Sequence, residues 1–273
     1  MPLTPLMPTS GMLTHFDTAS TALTALALLM TRMIVAFSVI PLFSGGALPP
    51  MVRLCFVASL SLCLLPFLGP QATLAHAAWS SLLPYILKEA GLGLVIGLLC
   101  SLAFWALYVA GVIVEFQAGM TMSTVIDPLL GREDSLLGGL FLQIFTVIFL
   151  ISGGLLSLIG LLFDSYRLWP INEMTPLVGN LHLVELIGGS LMQMIELALK
   201  TAAPFVILML TAELSLGLLS RFAPQFNVFF LSLPIKVLIL TLLLFLYCLL
   251  LVNTPQSLPD FSSMTSGLKG AVP

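Results

Sequence analysis

Long apolar runs broken by very few charges constrain this chain more than any other feature. From Val228 to Val252 the single charged residue is Lys236, and comparable stretches run from Thr21 to Ile40, Val52 to Leu68, Leu82 to Val114, Leu136 to Phe163 and Leu186 to Leu219. A helix rises about 1.5 Å per residue, so a hydrocarbon core of roughly 30 Å takes about 20 apolar residues. About six long apolar helical segments are therefore expected, in an all-α protein of integral-membrane type. Composition agrees: 59% of the 273 residues are hydrophobic and 8% charged, against about 45–50% and about 25% in ordinary globular proteins. With 9 Lys+Arg and 12 Asp+Glu, the chain lacks the polar surface that would keep it dispersed in water, and its medium is lipid or other apolar protein. A formal net charge of -3 without clustered basic residues excludes a nucleic-acid footprint.

The third and fifth stretches are longer than one span, so they are expected to tilt, kink or split, with Pro204 as a reason in the fifth. Turn chemistry marks the breaks. Ser44-Gly45-Gly46-Ala47-Leu48-Pro49-Pro50 joins the first two segments, and Pro66 to Gln71 ends the second. The densest charge cluster, Asp127 to Asp134, belongs in an aqueous or headgroup environment, and Tyr166 to Asn180 reads as an interfacial loop. Arg221 to Asn227 is a short turn between the last two segments, where Pro224 marks a helix boundary and Asn227 can cap the next helix. Residues 1–20 read as a polar tail without the basic start of a secretory leader, and residues 253–273 as a disordered tail. Single arginines scattered through successive loops leave the orientation undecided.

A charge inside an apolar helix asks for a partner or a watery face. Glu196 and Lys200, four apart with the acid first, read as a local salt bridge. Glu213 and Arg221 lie two turns apart on one helical face with Gly217 between them, an arrangement suited to bonding with a neighbouring subunit. Lys88-Glu89, and Glu115 with Gln117, read as interfacial anchors at the ends of the third stretch. Lys236, two residues after Pro234, snorkels to a boundary or lines a wet cavity. Gly93 and Gly97 form a G-x-x-x-G pattern, and Gly153, Ser157 and Gly160 a second small-residue stripe, both suited to close helix packing. Cys55, Cys63, Cys100 and Cys248 lie in apolar runs without metal or redox spacing. No catalytic motif, Walker loop or dinucleotide fingerprint occurs, and His182 with Glu185 supplies two potential ligands without a third. The expectation is no enzyme, no cofactor and no metal.

Several strings in order resemble one family. Val39-Ile40-Pro41-Leu42-Phe43 with Leu48-Pro49-Pro50-Met51-Val52-Arg53 resembles the first helical connection of the T subunit of type III secretion export gates and of its flagellar relative FliR. Glu115-Phe116-Gln117-Ala118-Gly119, then Asp127-Pro128 with Gly131, Leu137-Gly138 and Gly153-Gly154, resembles the middle of that family. Arg221-Phe222-Ala223-Pro224-Gln225-Phe226-Asn227-Val228-Phe229-Phe230 is the most specific match, and Leu233-Pro234-Ile235-Lys236 resembles the virulence branch more than the flagellar one. Leu136 departs from the proline of many relatives before Leu137-Gly138.

The resemblance implies bent helical hairpins, with residues 21–185 like the R subunit of the gate and residues 186–252 like the S subunit. It implies a non-enzymatic subunit of the bacterial inner membrane, surrounding a channel for unfolded secreted proteins. Its partners would be R-like and S-like subunits, together with U-like and V-like ones and membrane lipid. The residues expected to serve assembly or gating are Pro49, Pro50, Arg53, Glu115, Gln117, Asp127, Pro128, Gly131, Glu213, Arg221, Pro224, Gln225, Asn227, Pro234 and Lys236. The rival reading is a small-molecule secondary transporter, which would call for an inverted repeat and a compact midplane site.

Overall fold

The computed structural model describes residues 10–44, 49–67, 79–120, 135–172, 181–222 and 228–253. All regular structure among them is helical. Helix α1 (Ser10–Val39) leads through α2 (Pro41–Ser44) to α3 (Pro50–Leu64), which closes in a 3-10 turn (Leu65–Phe67). The two prolines set the start of α3. Pro49 is its extended N-cap residue and accepts from the amides of Val52 and Arg53, at 3.0 and 3.2 Å. Pro50 occupies the first helical position, where a missing N–H is harmless.

Helix α4 (Trp79–Ala118) is continuous for 40 residues despite Pro84. It stops where Gly119 takes φ +76°: the Gly119 amide bonds to the Phe116 carbonyl at 3.1 Å and the Met120 amide to the Glu115 carbonyl at 3.4 Å. These two reversed bonds satisfy the last carbonyls of a helix when a residue free of Cβ strain follows it. Ser135 then starts α5 (Leu136–Ile151), its hydroxyl accepting from the Gly138 amide at 2.9 Å.

The fourth apolar stretch is not one helix. Gly153, at φ +81°, breaks it into α5 and α6 (Gly154–Leu168), bent by 75°. The second stretch also falls short, since α3 has 15 residues. Among the described residues four helices are long and apolar enough to cross a membrane, or five with the bent pair counted as one, rather than about six. The fifth stretch stays whole: α7 (Leu181–Phe222) runs 42 residues through Pro204, and α8 (Val228–Asn253) 26 residues through Pro234.

The chain packs as two compact units. One holds residues up to Ser101 and from Leu158 to Glu185, and its core is built on Leu29, Met33, Phe37, Val57, Ile96 and Leu158. Phe37, Phe43 and Phe56 meet there with ring centroids 4.7 to 5.8 Å apart. The other holds Leu102–Ser157 and the described residues from Leu186 on, with a core of Ala110, Val114, Phe141, Phe205, Met209 and Leu240. In it Phe104 meets Phe145 and Phe149, and Tyr247 stacks on Phe141.

Candidate functional site

In the second unit the C-terminal end of α4 gathers four residues that the sequence singles out. The Glu115 carboxylate accepts from the Leu137 amide at 3.0 Å and from the Ser135 hydroxyl. It therefore bonds to the free N-terminal groups of α5, where negative charge is favoured. Two residues on, the Gln117 amide donates to Glu213 Oε2 of α7 at 3.3 Å. Glu213 Oε1 accepts from Lys236 Nζ of α8 at 2.9 Å, with the lysine side chain 8% exposed and the acid 49%. Glu115, Gln117, Glu213 and Lys236 thus bind four helices at the level where α4 ends.

The partner found for Glu213 is not Arg221. Eight helical residues correspond to about 12 Å of rise, too far for a direct pair. Among the described residues Arg221, exposed in the last turn of α7, has no ion-pair partner. Lys236 keeps its stem buried, and its ammonium meets the half-exposed Glu213 carboxylate rather than open water.

The first unit carries a second polar centre, fully buried, around Arg32 of α1. Its guanidinium grips Glu89 of α4 with two bonds, Nε to Oε2 at 2.7 Å and Nη2 to Oε1 at 3.0 Å. It also donates to the Ser165 hydroxyl at 3.1 Å and the Trp169 carbonyl at 3.0 Å, and lies 4.0 Å from the centre of the Tyr166 ring. Lys88 pairs with Glu89 at 3.1 Å and donates to the carbonyls of Pro170 and Ile171 at 2.8 and 3.0 Å. Two cations thus share one carboxylate, and the carbonyls just past the C-terminus of α6 meet the remaining positive charge. Lys88 and Glu89 are interior residues, not interfacial anchors, because α1 brings them a partner. Arg32 escapes the motif reading, although it is the one charge between Asp17 and Arg53 and so marks the centre of an apolar helix.

The remaining expectations divide by location. Glu196 and Lys200 form the local pair read from their spacing, at 2.6 Å on an exposed face. Pro49, Pro50 and Arg53 lie at the start of α3, and Pro234 lies in α8. Asp127, Pro128, Gly131, Pro224, Gln225 and Asn227 lie outside the described residues. Gly93 and Gly97 take the close packing expected of them: a Cβ on Gly97 would lie 2.7 Å from the Ala36 carbonyl oxygen, and one on Gly93 would strike that of Arg32. Gly139, Gly160, Gly188, Gly189 and Gly217 face open space, with nothing of this chain within 4 Å of such a Cβ. Among the described residues no three His, Cys, Asp or Glu could hold a metal ion. Each centre joins side chains of several helices within its own unit, which suits it to holding those helices in place.

The profile of bacterial export proteins, family 1, matches residues 23–260. The chain is 38% identical over 230 residues to Yop proteins translocation protein T of Yersinia pestis, covering 83% of this chain and 86% of that protein. It is 34% identical over 222 residues to surface presentation of antigens protein SpaR of Salmonella typhimurium, 81% of each. Identity to flagellar biosynthetic protein FliR of Bacillus subtilis is lower, 29% over 215 residues, 78% of this chain and 82% of that one. With the whole apolar portion of the sequence matched, the chain belongs to the bacterial export proteins, family 1.

Proposed function

We propose that the chain is a structural, non-enzymatic subunit of a type III secretion export gate of the virulence branch, held in the bacterial inner membrane. It helps to form the passage for unfolded secreted proteins. The observation that carries this reading is the family match, joined to helices that their own chain leaves uncovered. In the apolar spans of α7 and α8 only 22% and 17% of residues are buried, against 67% in α4. Those faces fit neighbouring subunits of the same apparatus. R-like and S-like subunits are the partners proposed first, with U-like and V-like subunits beside them. In the same proposal residues 21–185 correspond to the R-like part and residues 186–252 to the S-like hairpin. Relatives named for protein translocation, surface presentation of antigens and flagellar biosynthesis favour export over small-molecule transport. The test is deletion of the gene in its host followed by complementation. Loss of secreted effectors from the medium, restored by the wild-type chain, is expected; undiminished secretion without it would remove the proposal.

A further inference from the structure

The buried centre of the first unit does more than neutralise charge. Arg32 meets Gly93 and Ala36 meets Gly97, so α1 and α4 run parallel and touch backbone to backbone in steps of four residues. The atoms closest to both glycines are backbone oxygen, carbonyl carbon and Cα of α1, which every residue possesses. The glycine groove therefore accepts α1 equally well after a slide of four residues. Apolar packing opposes such a slide only through side-chain size, because the buried face of α1 repeats on the same step: Leu28, Arg32 and Ala36 form one row and Leu29, Met33 and Phe37 the next. Arg32 is the one charged member of these rows, and Phe37, edge-on to Phe43 at 4.7 Å, adds a shape preference for the same register. We propose that the Arg32–Glu89–Lys88 cluster is a register key, selecting a single slide of α1 along α4 and tying it to the exit of α6.

The geometry of the key fits this role. A slide of four residues moves Arg32 by about 6 Å, out of reach of a carboxylate now held at 2.7 and 3.0 Å. Glu89 cannot follow, since its side chain is enclosed and Lys88 beside it is fixed to the carbonyls of Pro170 and Ile171. The same slide would part the Arg32 guanidinium from the Trp169 carbonyl. A single buried polar group that fixes register is the best-attested service of such groups.

The experiment uses the full chain, expressed with the other subunits of its export apparatus and with Cys55, Cys63, Cys100 and Cys248 replaced by alanine. Spin labels on Leu23→Cys of α1 and Leu94→Cys of α4, both exposed positions, report the distance between the helices by pulsed electron resonance. The parent and Arg32→Lys, which keeps the ion pair, give one narrow distance. Arg32→Met/Glu89→Leu, which keeps the apolar volume, gives a second population displaced along the helix by about 6 Å. One narrow, unshifted distance in that pair overturns the proposal. Should the pair not be recovered, Glu89→Gln decides on the same labels: a second population supports the key and a single distance overturns it.

Discussion

At Glu115 one side chain joins the end of a 40-residue helix to the beginning of the next. Replacing it by alanine leaves the Leu137 amide and the Ser135 hydroxyl without their acceptor, a loss of about 1–3 kcal/mol for partly buried groups. Glu115→Gln, which retains one carbonyl oxygen, should lose less. Thermal unfolding of the purified assembly should rank wild type above Gln above Ala, and an unchanged midpoint in Glu115→Ala would assign the acid no such role. Glu213 and Lys236 are asymmetric in a way that fixes another order. Removing the half-exposed acid strands an almost fully buried ammonium, whereas removing the lysine leaves a carboxylate that water can reach. Glu213→Ala should therefore destabilise by a few kcal/mol, short of the about 3–5 kcal/mol of a wholly buried pair, and Lys236→Met by clearly less. The reverse order in the same melting experiment would refute this. The sequence makes these four residues visible as polar breaks in apolar text. It does not reveal their partners, because Gln117 and Glu213 stand 96 residues apart and periodicity speaks only of neighbours along one helix.

Among the elements, length was legible and continuity was not. Apolar runs locate α4, α7 and α8 well, since a span of lipid-compatible helix leaves a long, uncharged trace, whereas α1 begins at Ser10, eleven residues ahead of its apolar run. Pro204 and Gly153 then act against expectation: the proline sits within an unbroken α7, and the glycine parts α5 from α6. Proline forfeits one backbone bond, a loss a 42-residue helix can carry, whereas φ +81° lies where no right-handed helix can pass. In sequence, Gly153-Gly154 resembles any small-residue packing pair. The structure separates their roles, and substitution should too. Nothing lies within 4 Å of a Cβ on Gly153, so Gly153→Val suffers from backbone strain alone, about 1–2 kcal/mol for a left-handed L-residue. A Cβ on Gly154 would instead meet the Phe149 ring and, at 2.8 Å, the Phe149 carbonyl oxygen, so Gly154→Ala should be relieved in part by Phe149→Leu, which removes the ring and leaves the carbonyl, while Gly153→Val is not. Unfolding midpoints of the two doubles check this, and rescue of Gly153→Val by Phe149→Leu would contradict it. Arg221 belongs to the same scale. Exposed at the end of α7, it complements the helix dipole by about 0.3–1 kcal/mol, and Arg221→Ala should weaken assembly on native gels more than it lowers the amount of chain in membranes.

For the molecule as a whole, the decisive quantity is apolar helix surface that the chain cannot cover. Helix α7 is about 63 Å long at 1.5 Å per residue, twice a hydrocarbon core of roughly 30 Å. Lipid can solvate at most about half of it. Yet exposed Leu191, Met192 and Ile195 near one end and Leu214, Leu218 and Phe222 near the other lie too far apart for one bilayer to cover both. Water is a poor medium for either group, and large uncovered apolar patches drive association. Glycines along the same helix, Gly188, Gly189 and Gly217, stand open at positions where another backbone can approach closely. The chain expressed alone should therefore be proteolysed or aggregate, with a steady-state level several-fold below that reached when the other apparatus subunits are supplied. Quantitative blotting of membrane fractions, with and without R-like and S-like subunits, measures the ratio. Recovery of a monodisperse, fully folded single chain in mild detergent would mean that α7 and α8 find their cover within the molecule, and the requirement for partners would fall with it.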